Sequence, residues 1–254
     1  MKVIFSGLES SGKSLRLAMQ ATELVERNSK WFDKQAAYWK KYGPEKFQEK
    51  YEIAAPTPRD IYSNLKFTQE FEYWAREEMN VNILYWENVE DLILIQDADV
   101  LIDEVGNYFD ARGWESLSLD LRRWLTQGAK SGIEIYGTAQ DFAQVDKAFR
   151  RLVNHLLHIK KIAGSRRPTP TMPPVKFIWG LCLVVPLDPQ NYDEDENKFE
   201  GASLLDYRLF YIRKQYCEIF DTTQKIKRSV PLPYKHSVRR CEDATCHYYK
   251  VIHA

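Results

Sequence analysis

Near the N-terminus, Gly7-Leu8-Glu9-Ser10-Ser11-Gly12-Lys13-Ser14 separates a short apolar run from a helical pattern, and no other feature limits the fold as strongly. Residues 2–5, Lys-Val-Ile-Phe, read as a buried strand. Leu15, Ala18, Met19, Thr22 and Val25 then recur at helical spacing and mark one apolar face. A glycine loop between strand and helix turns its backbone N–H groups toward one point at the positive end of the helix, which suits a phosphate. Lys13 is expected to reach the β- and γ-phosphates of a nucleotide, and the Ser14 hydroxyl to ligate Mg²⁺. The expected nucleotide contacts are Gly7, Ser10, Ser11, Gly12, Lys13, Ser14 and Leu15, with ATP and Mg²⁺ as cofactors.

The rest of the chain alternates strand-like and helical segments. Residues 29–52, rich in Lys, Glu and aromatics and interrupted at Gly43-Pro44, read as a helical insertion (about 29–58) that Pro56-Thr57-Pro58 ends. Strands are expected at 60–65, 82–86, 100–102, 133–138 and 155–162. Helices are expected at 68–79, 89–95, 117–129 and 145–152. This alternation argues for an α/β fold of the P-loop NTPase class, a mainly parallel sheet covered by helices on both faces. Past Gly164 the texture changes to a Pro/Thr/Arg-rich loop, followed by strand-like runs at 175–186 and 207–220 that form a C-terminal strand extension. The expected organisation is an ATPase domain over 1–224 and a basic tail over 225–254.

Two further segments carry chemistry. Val100-Leu101-Ile102-Asp103-Glu104 is an apolar strand ending in two acids. Asp103 is assigned to the metal and Glu104 to activation of the attacking water, while Asp97 and Asp99, ahead of the strand, are read as solvated. Thr138-Ala139-Gln140 ends the next strand, and Gln140 is assigned as a sensor of the γ-phosphate or lytic water. Loop, acidic pair, one intervening helix and a sensor strand together imply an extra strand between the loop strand and the acidic strand's neighbour, as in ring-forming or motor ATPases.

The stretch from Ile102-Asp103-Glu104-Val105-Gly106 through Leu121-Arg122-Arg123-Trp124-Leu125 to Gly137-Thr138-Ala139-Gln140-Asp141-Phe142-Ala143-Gln144-Val145-Asp146 resembles the zonular occludens toxin family. Lys147 to Val153 and Ile219-Phe220-Asp221-Thr222 extend the likeness. These are morphogenesis ATPases of filamentous phages, related to the FtsK–HerA group of DNA-pumping motors. The resemblance implies an oligomeric ATPase that moves or exports phage DNA during virion assembly. Members of the family commonly carry a membrane-spanning helix after this domain. Here the longest apolar run, 177–187, has about half of the roughly 20 residues a span needs. The protein is therefore expected to be cytoplasmic in the host cell, recruited to the membrane or capsid by assembly proteins. Four cysteines in 254 residues fit a reducing compartment better than a disulfide framework, and no signal peptide precedes the first strand.

A ring motor needs an arginine from a neighbouring subunit to neutralise charge developing on the γ-phosphate. Arg122, Arg123, Arg112, Arg150 and Arg151 are the arginines placed to do this; most of the five are read as surface charges, and one of Arg122 or Arg123 is favoured. Net charge is zero, so DNA contacts must come from local patches. Residues 160–176 (Lys160, Lys161, Arg166, Arg167, Lys176) and the tail 222–254 are the two basic stretches, either of them suited to face a channel. Cys241 and Cys246, among His236, His247 and His253, are read as free thiols in preference to a zinc site. His155 and His158 are read as structural.

The function expected is an ATP-hydrolysing motor for phage DNA, of either strandedness, working as a homo-oligomeric ring. The alternatives are a nucleotide-dependent switch that binds partner proteins and a phosphotransferase for a small metabolite.

Overall fold

The computed structural model describes residues 1–110, 117–128, 130–164, 180–189, 192–193, 198–199, 208–212, 216 and 218–220. Strand β1 (Lys2–Ser6) runs through the phosphate loop into the long helix α1 (Lys13–Tyr51). There follow β2 (Ile61–Ser63), α2 (Gln69–Tyr73) continued by a π-helical turn at Trp74–Glu78, and β3 (Ile83–Tyr85). A 3₁₀ segment at Val89–Leu94 leads to β4 (Asp99–Ile102), α3 (Leu119–Gln127), β5 (Glu134–Ala139), α4 (Lys147–Arg150) and β6 (His155–Gly164). Beyond these lie β7 (Gly180–Leu187), the small pair β8 (Tyr192–Asp193) and β9 (Lys198–Phe199), and β10 (Arg208–Ile212).

Eight strands make one sheet in the order β10-β7-β6-β1-β5-β4-β2-β3. From β6 to β3 every pairing is parallel; β7 and β10 join antiparallel at the far edge. The sensor strand β5 stands between the loop strand β1 and the acidic strand β4, directly beside both, so no further strand separates β1 from the acidic strand's neighbour. Two apolar layers follow from the alternation along β1. Phe5 packs on the α1 side with Leu17, Leu24 and Phe71. Ile4 packs on the opposite side with Ile102, Leu121, Leu125 and Phe149. A sheet buried on both faces explains why its strands read as continuous apolar runs.

Residues 29–51 are not separate from the first helix. They continue α1 to Asn28 and beyond without a break until Gly43 (φ 79°, ψ 174°) reverses the chain. Pro44 then opens the returning helical segment, where its missing N–H costs nothing. Phe47 lands on Tyr38 and Trp39, and Tyr51 lands on Trp31 and Tyr38, so the two arms close into a hairpin with Phe47 fully buried. The helix ends at Tyr51, five residues before Pro56, on a left-handed Glu52. Near the other end of the chain, Phe220 bridges Phe67 and enters the α1-side core. Among the described residues no helix is long and apolar enough to cross a membrane.

Candidate nucleotide site

The loop owes its shape to its two glycines. Gly7 has φ +149°, and a Cβ there would lie 2.3 Å from the Ile159 carbonyl oxygen on β6, so a side chain cannot enter without moving the sheet. Gly12, at φ 99°, starts α1 in the left-handed region, which a residue with a Cβ adopts only at a cost. Between them Ser10 is also left-handed (φ 60°), and the Ser11 N–H closes the turn on the Leu8 carbonyl at 3.2 Å. The Ser11 hydroxyl is buried and has no hydrogen-bond partner. An orphaned hydroxyl inside a loop of this shape suits a ligand oxygen.

Lys13 is the buried cation of the loop. Its ammonium donates to the Gly7 and Leu8 carbonyls at 2.7 and 2.9 Å. Burial lowers its pKa, opposed by Glu104, then Asp103, then Glu9. Both acids at the end of β4 therefore act on the lysine of the loop, across β5.

At that strand end the Ser14 hydroxyl donates to Asp103 Oδ1 at 3.0 Å. The same oxygen accepts the Thr138 hydroxyl at 2.7 Å, and Thr138 Oγ1 in turn accepts the Glu104 N–H at 2.8 Å. Glu104 is left-handed (φ 59°) and its Oε1 accepts the Gln140 N–H at 3.1 Å. The Asn64 side chain grips the Asp103 backbone on both sides, accepting its N–H at 2.6 Å and donating to its carbonyl at 2.9 Å. Ser14, Asp103, Thr138, Glu104 and Gln140 thus form one chain of hydrogen bonds, with Asn64 fixing the Asp103 backbone. Gln140 enters this network by its backbone; its residue is exposed. Thr138 belonged to the expected sensor motif, but its role as the hydroxyl joining both acids shows only in three dimensions. Asn64 was missed. Its one signal was a polar side chain at the end of an apolar strand, the same position the acids occupy on β4.

His158 on β6 meets the Ser6 hydroxyl at 3.2 Å. Burial, then the nearby Lys160 and Lys13 cations, lower its pKa. The donor set fits a magnesium nucleotide: loop N–H groups and Lys13 for phosphate, and Ser14 with Asp103 for a hard cation that prefers oxygen. Among the described residues no cluster of His, Cys, Asp or Glu forms a self-contained metal site.

The arginine candidates stand apart from this network. Arg122 is half-buried on α3, with an Nε that has no hydrogen-bond partner. Arg123, with its side chain 63% exposed, pairs with Asp120 at 3.5 Å. Arg112, most of the stretch 160–176, the tail 225–254, Cys241 and Cys246 lie outside the described residues.

Asp99 requires a correction. It is fully buried, not solvated. Both of its oxygens accept Arg27 at 2.9 Å, Arg59 Nε donates to Oδ1 at 3.0 Å, and the Asn28 amide donates to Oδ2 at 2.8 Å. The position is the first residue of β4, and its partners come from α1 and from the segment before β2. Burial works to raise the pKa of neighbouring Glu134, but hydrogen bonds from Arg27 and Tyr136 outweigh it and hold the group below its usual range. This ion cluster closes the N-terminal edge of the sheet, the end opposite the phosphate loop.

The model of the zonular occludens toxin (Zot) family matches residues 52–167, which carry β2 to β6 and both acids but not the phosphate loop. No curated protein sequence matches the chain. Similar solved structures include the N-terminal domain of zonular occludens toxin from Neisseria meningitidis, at 15% identity and TM-score 0.46, covering 87% of this chain and 98% of that one. The genome packaging NTPase B204 from Sulfolobus turreted icosahedral virus 2 has 10% identity, TM-score 0.35 and coverage of 82% and 95%. A KaiC-like protein from Pyrococcus horikoshii has 10% identity, TM-score 0.37 and coverage of 86% and 88%. Residues 52–167 are similar to the Zot family, and the mainly parallel sheet with a glycine loop between β1 and α1 is the fold expected of the P-loop NTPase class.

Proposed function

We propose that this protein is an ATP-hydrolysing motor that packages or exports phage DNA during virion assembly, acting as a homo-oligomeric ring. The observation that carries the hydrolytic part is the 3.0 Å approach of the Ser14 hydroxyl to Asp103, with Glu104 tied to the same oxygen through Thr138. The use of that energy on DNA is what the resemblance to the Zot family implies, a family whose model matches β2 to β6.

When bound, a magnesium nucleotide supplies the scissile phosphoanhydride and the charge neutralisation for its cleavage. The chain's own residues do the rest. Gly7 and Gly12 let the loop N–H groups converge on phosphate oxygens, and Lys13 exchanges the Gly7 and Leu8 carbonyls for them. Ser14 and Asp103 would hold a magnesium ion. Glu104 takes the proton from the attacking water, its carboxylate steadied by the Gln140 N–H. The Gln140 side chain senses the terminal phosphate. An arginine on α3 completes the site of the next subunit, and Arg123, being the more exposed of the two, is better suited to leave its own subunit than Arg122. Recruitment from the host cytoplasm to membrane or capsid falls to other assembly proteins.

Phosphate release from the assembled protein, measured at low salt with and without DNA, tests this reading. The motor predicts a rate that rises several-fold with DNA. A rate indifferent to DNA in an assembled oligomer overturns it in favour of a nucleotide switch.

A further inference from the structure

A second basic feature lies at the other end of the sheet and is used by none of the chemistry above. A cleft of about 490 Å³ opens there, lined by Arg27, Lys30, Trp31, Lys34, Arg59 and Glu134. Its size falls in the range of about 300–1,000 Å³ usual for ligand sites. Arg27, Lys30, Trp31 and Lys34 stand at i, i+3, i+4 and i+7 of α1, so one stripe of the helix supplies most of the lining.

The charges divide into an ion-paired set and an exposed set. Arg27 and Arg59 are clamped on the buried Asp99, and Arg27 also pairs with Glu134 at 2.8 Å, so the floor of the cleft is rigid and nearly neutral. Lys30 and Lys34 are exposed on the wall above and leave the cleft with a positive excess. Trp31 is 43% exposed. Its ring is held upright by an edge contact with Tyr51 (5.9 Å between centroids, 82° between planes) and lies 5.5 Å from the Lys34 ammonium. The hairpin that follows carries three more lysines over aromatic faces: Lys41 on Tyr42, Lys46 on Tyr42, and Lys50 on Tyr38 and Tyr51. Cations interleaved with ring faces are what a flexible polyanion with unstacked bases requires. The phosphates take the lysines and a base takes an aromatic face.

We propose that this cleft and the hairpin wall above it bind single-stranded DNA, with a base against Trp31 and the flanking phosphates on Lys30 and Lys34. The assignment rests on the DNA-motor reading and names the surface and strandedness that reading leaves open. A duplex fits less well, because its bases are already stacked and cannot use the indole. The cleft is also connected to the nucleotide loop. From Lys13 to Trp31 the same uninterrupted helix runs about 27 Å.

Fluorescence anisotropy of a labelled 20-nucleotide oligo(dT), measured on the full chain across a salt series, tests the proposal. Reversal of both lysines (Lys30→Glu with Lys34→Glu) is expected to weaken binding at least tenfold. It should also flatten the dependence of log K on log salt by about 1.4, as for two lost phosphate contacts on a single strand. Trp31→Ala is expected to weaken binding by about five- to tenfold, with Trp31→Phe near wild type. A 20-base-pair duplex should bind more weakly than oligo(dT). Oligo(dT) binding that survives the lysine reversal, or poly-glutamate bound as tightly and with the same variant dependence, overturns the assignment while leaving the motor reading intact. Failure of the wild type to bind any oligonucleotide removes both.

Discussion

Thr138 is the residue on which the two acids of the site depend together, so its hydroxyl is the most informative atom to remove. Thr138→Val keeps shape and burial at a position with no solvent exposure. It deletes a donor to the Asp103 carboxylate at 2.7 Å and an acceptor for the Glu104 N–H at 2.8 Å. A hydrogen bond to a charged group contributes about 1.5–3 kcal/mol, and a buried amide left without an acceptor costs about 1–3 kcal/mol. The added methyl returns roughly 0.8 kcal/mol of apolar burial. A net loss of about 2–5 kcal/mol follows, read as a lowered urea midpoint at unchanged slope. Hydrolysis should fall by more than tenfold, because Asp103 loses an orienting partner and the left-handed Glu104 loses its anchor. Thr138→Ser should restore hydrolysis and most of the stability. A valine variant with wild-type stability and turnover would show that the hydroxyl orders nothing, and the reasoning about the site would fail with it.

Two other substitutions probe groups away from the loop. Asp99→Asn leaves Arg27 and Arg59 facing a neutral amide and is expected to cost about 3 kcal/mol in urea denaturation, at the low end for a broken buried pair because Arg27 is 44% exposed and rehydrates; no change would mean the cluster is ornamental. Asp60 is buried against the Asn82 amide, and burial raises its pKa to about 7, above the roughly 3.9 of an unfolded aspartate. The folded chain therefore holds the proton that the unfolded chain releases, and the stability linked to Asp60 is full below about pH 4 and lost as pH rises to about 7. Asp60→Asn should accordingly be increasingly stabilising relative to wild type from pH 4 to 7.5, and a difference that is flat or falls with pH contradicts the burial argument.

How far the sequence carried is clearest residue by residue. The strand, glycine loop and helix at 2–25 were legible because each obeys a local rule, and β4 and β5 were legible as apolar runs ending in polar side chains. Asp99 was not. Its environment is set by Arg27 and Arg59, which are 72 and 40 positions away, and nothing local distinguishes it from exposed Asp97. The 29–51 segment was correctly read as helical and broken at Gly43. Its continuity with the phosphate-loop helix was hidden by a polar, lysine-rich texture that arises because its lysines lie over its own aromatic rings. Thr138 and Asn64 were hidden for another reason. A hydroxyl and an amide at strand ends are common, and only the strand order, with β5 beside β4 and β2 on its other side, brings them against Asp103.

Whether this loop serves a nucleotide for hydrolysis turns on Lys13. Lys13→Ala removes the buried ammonium held between Gly7 and Leu8 and facing Glu104 and Asp103. Steady-state phosphate release from ATP and magnesium, measured for both proteins at equal circular dichroism, should fall by at least a hundredfold in the variant, about 2.7 kcal/mol of lost transition-state stabilisation. Undiminished hydrolysis in Lys13→Ala would contradict the account.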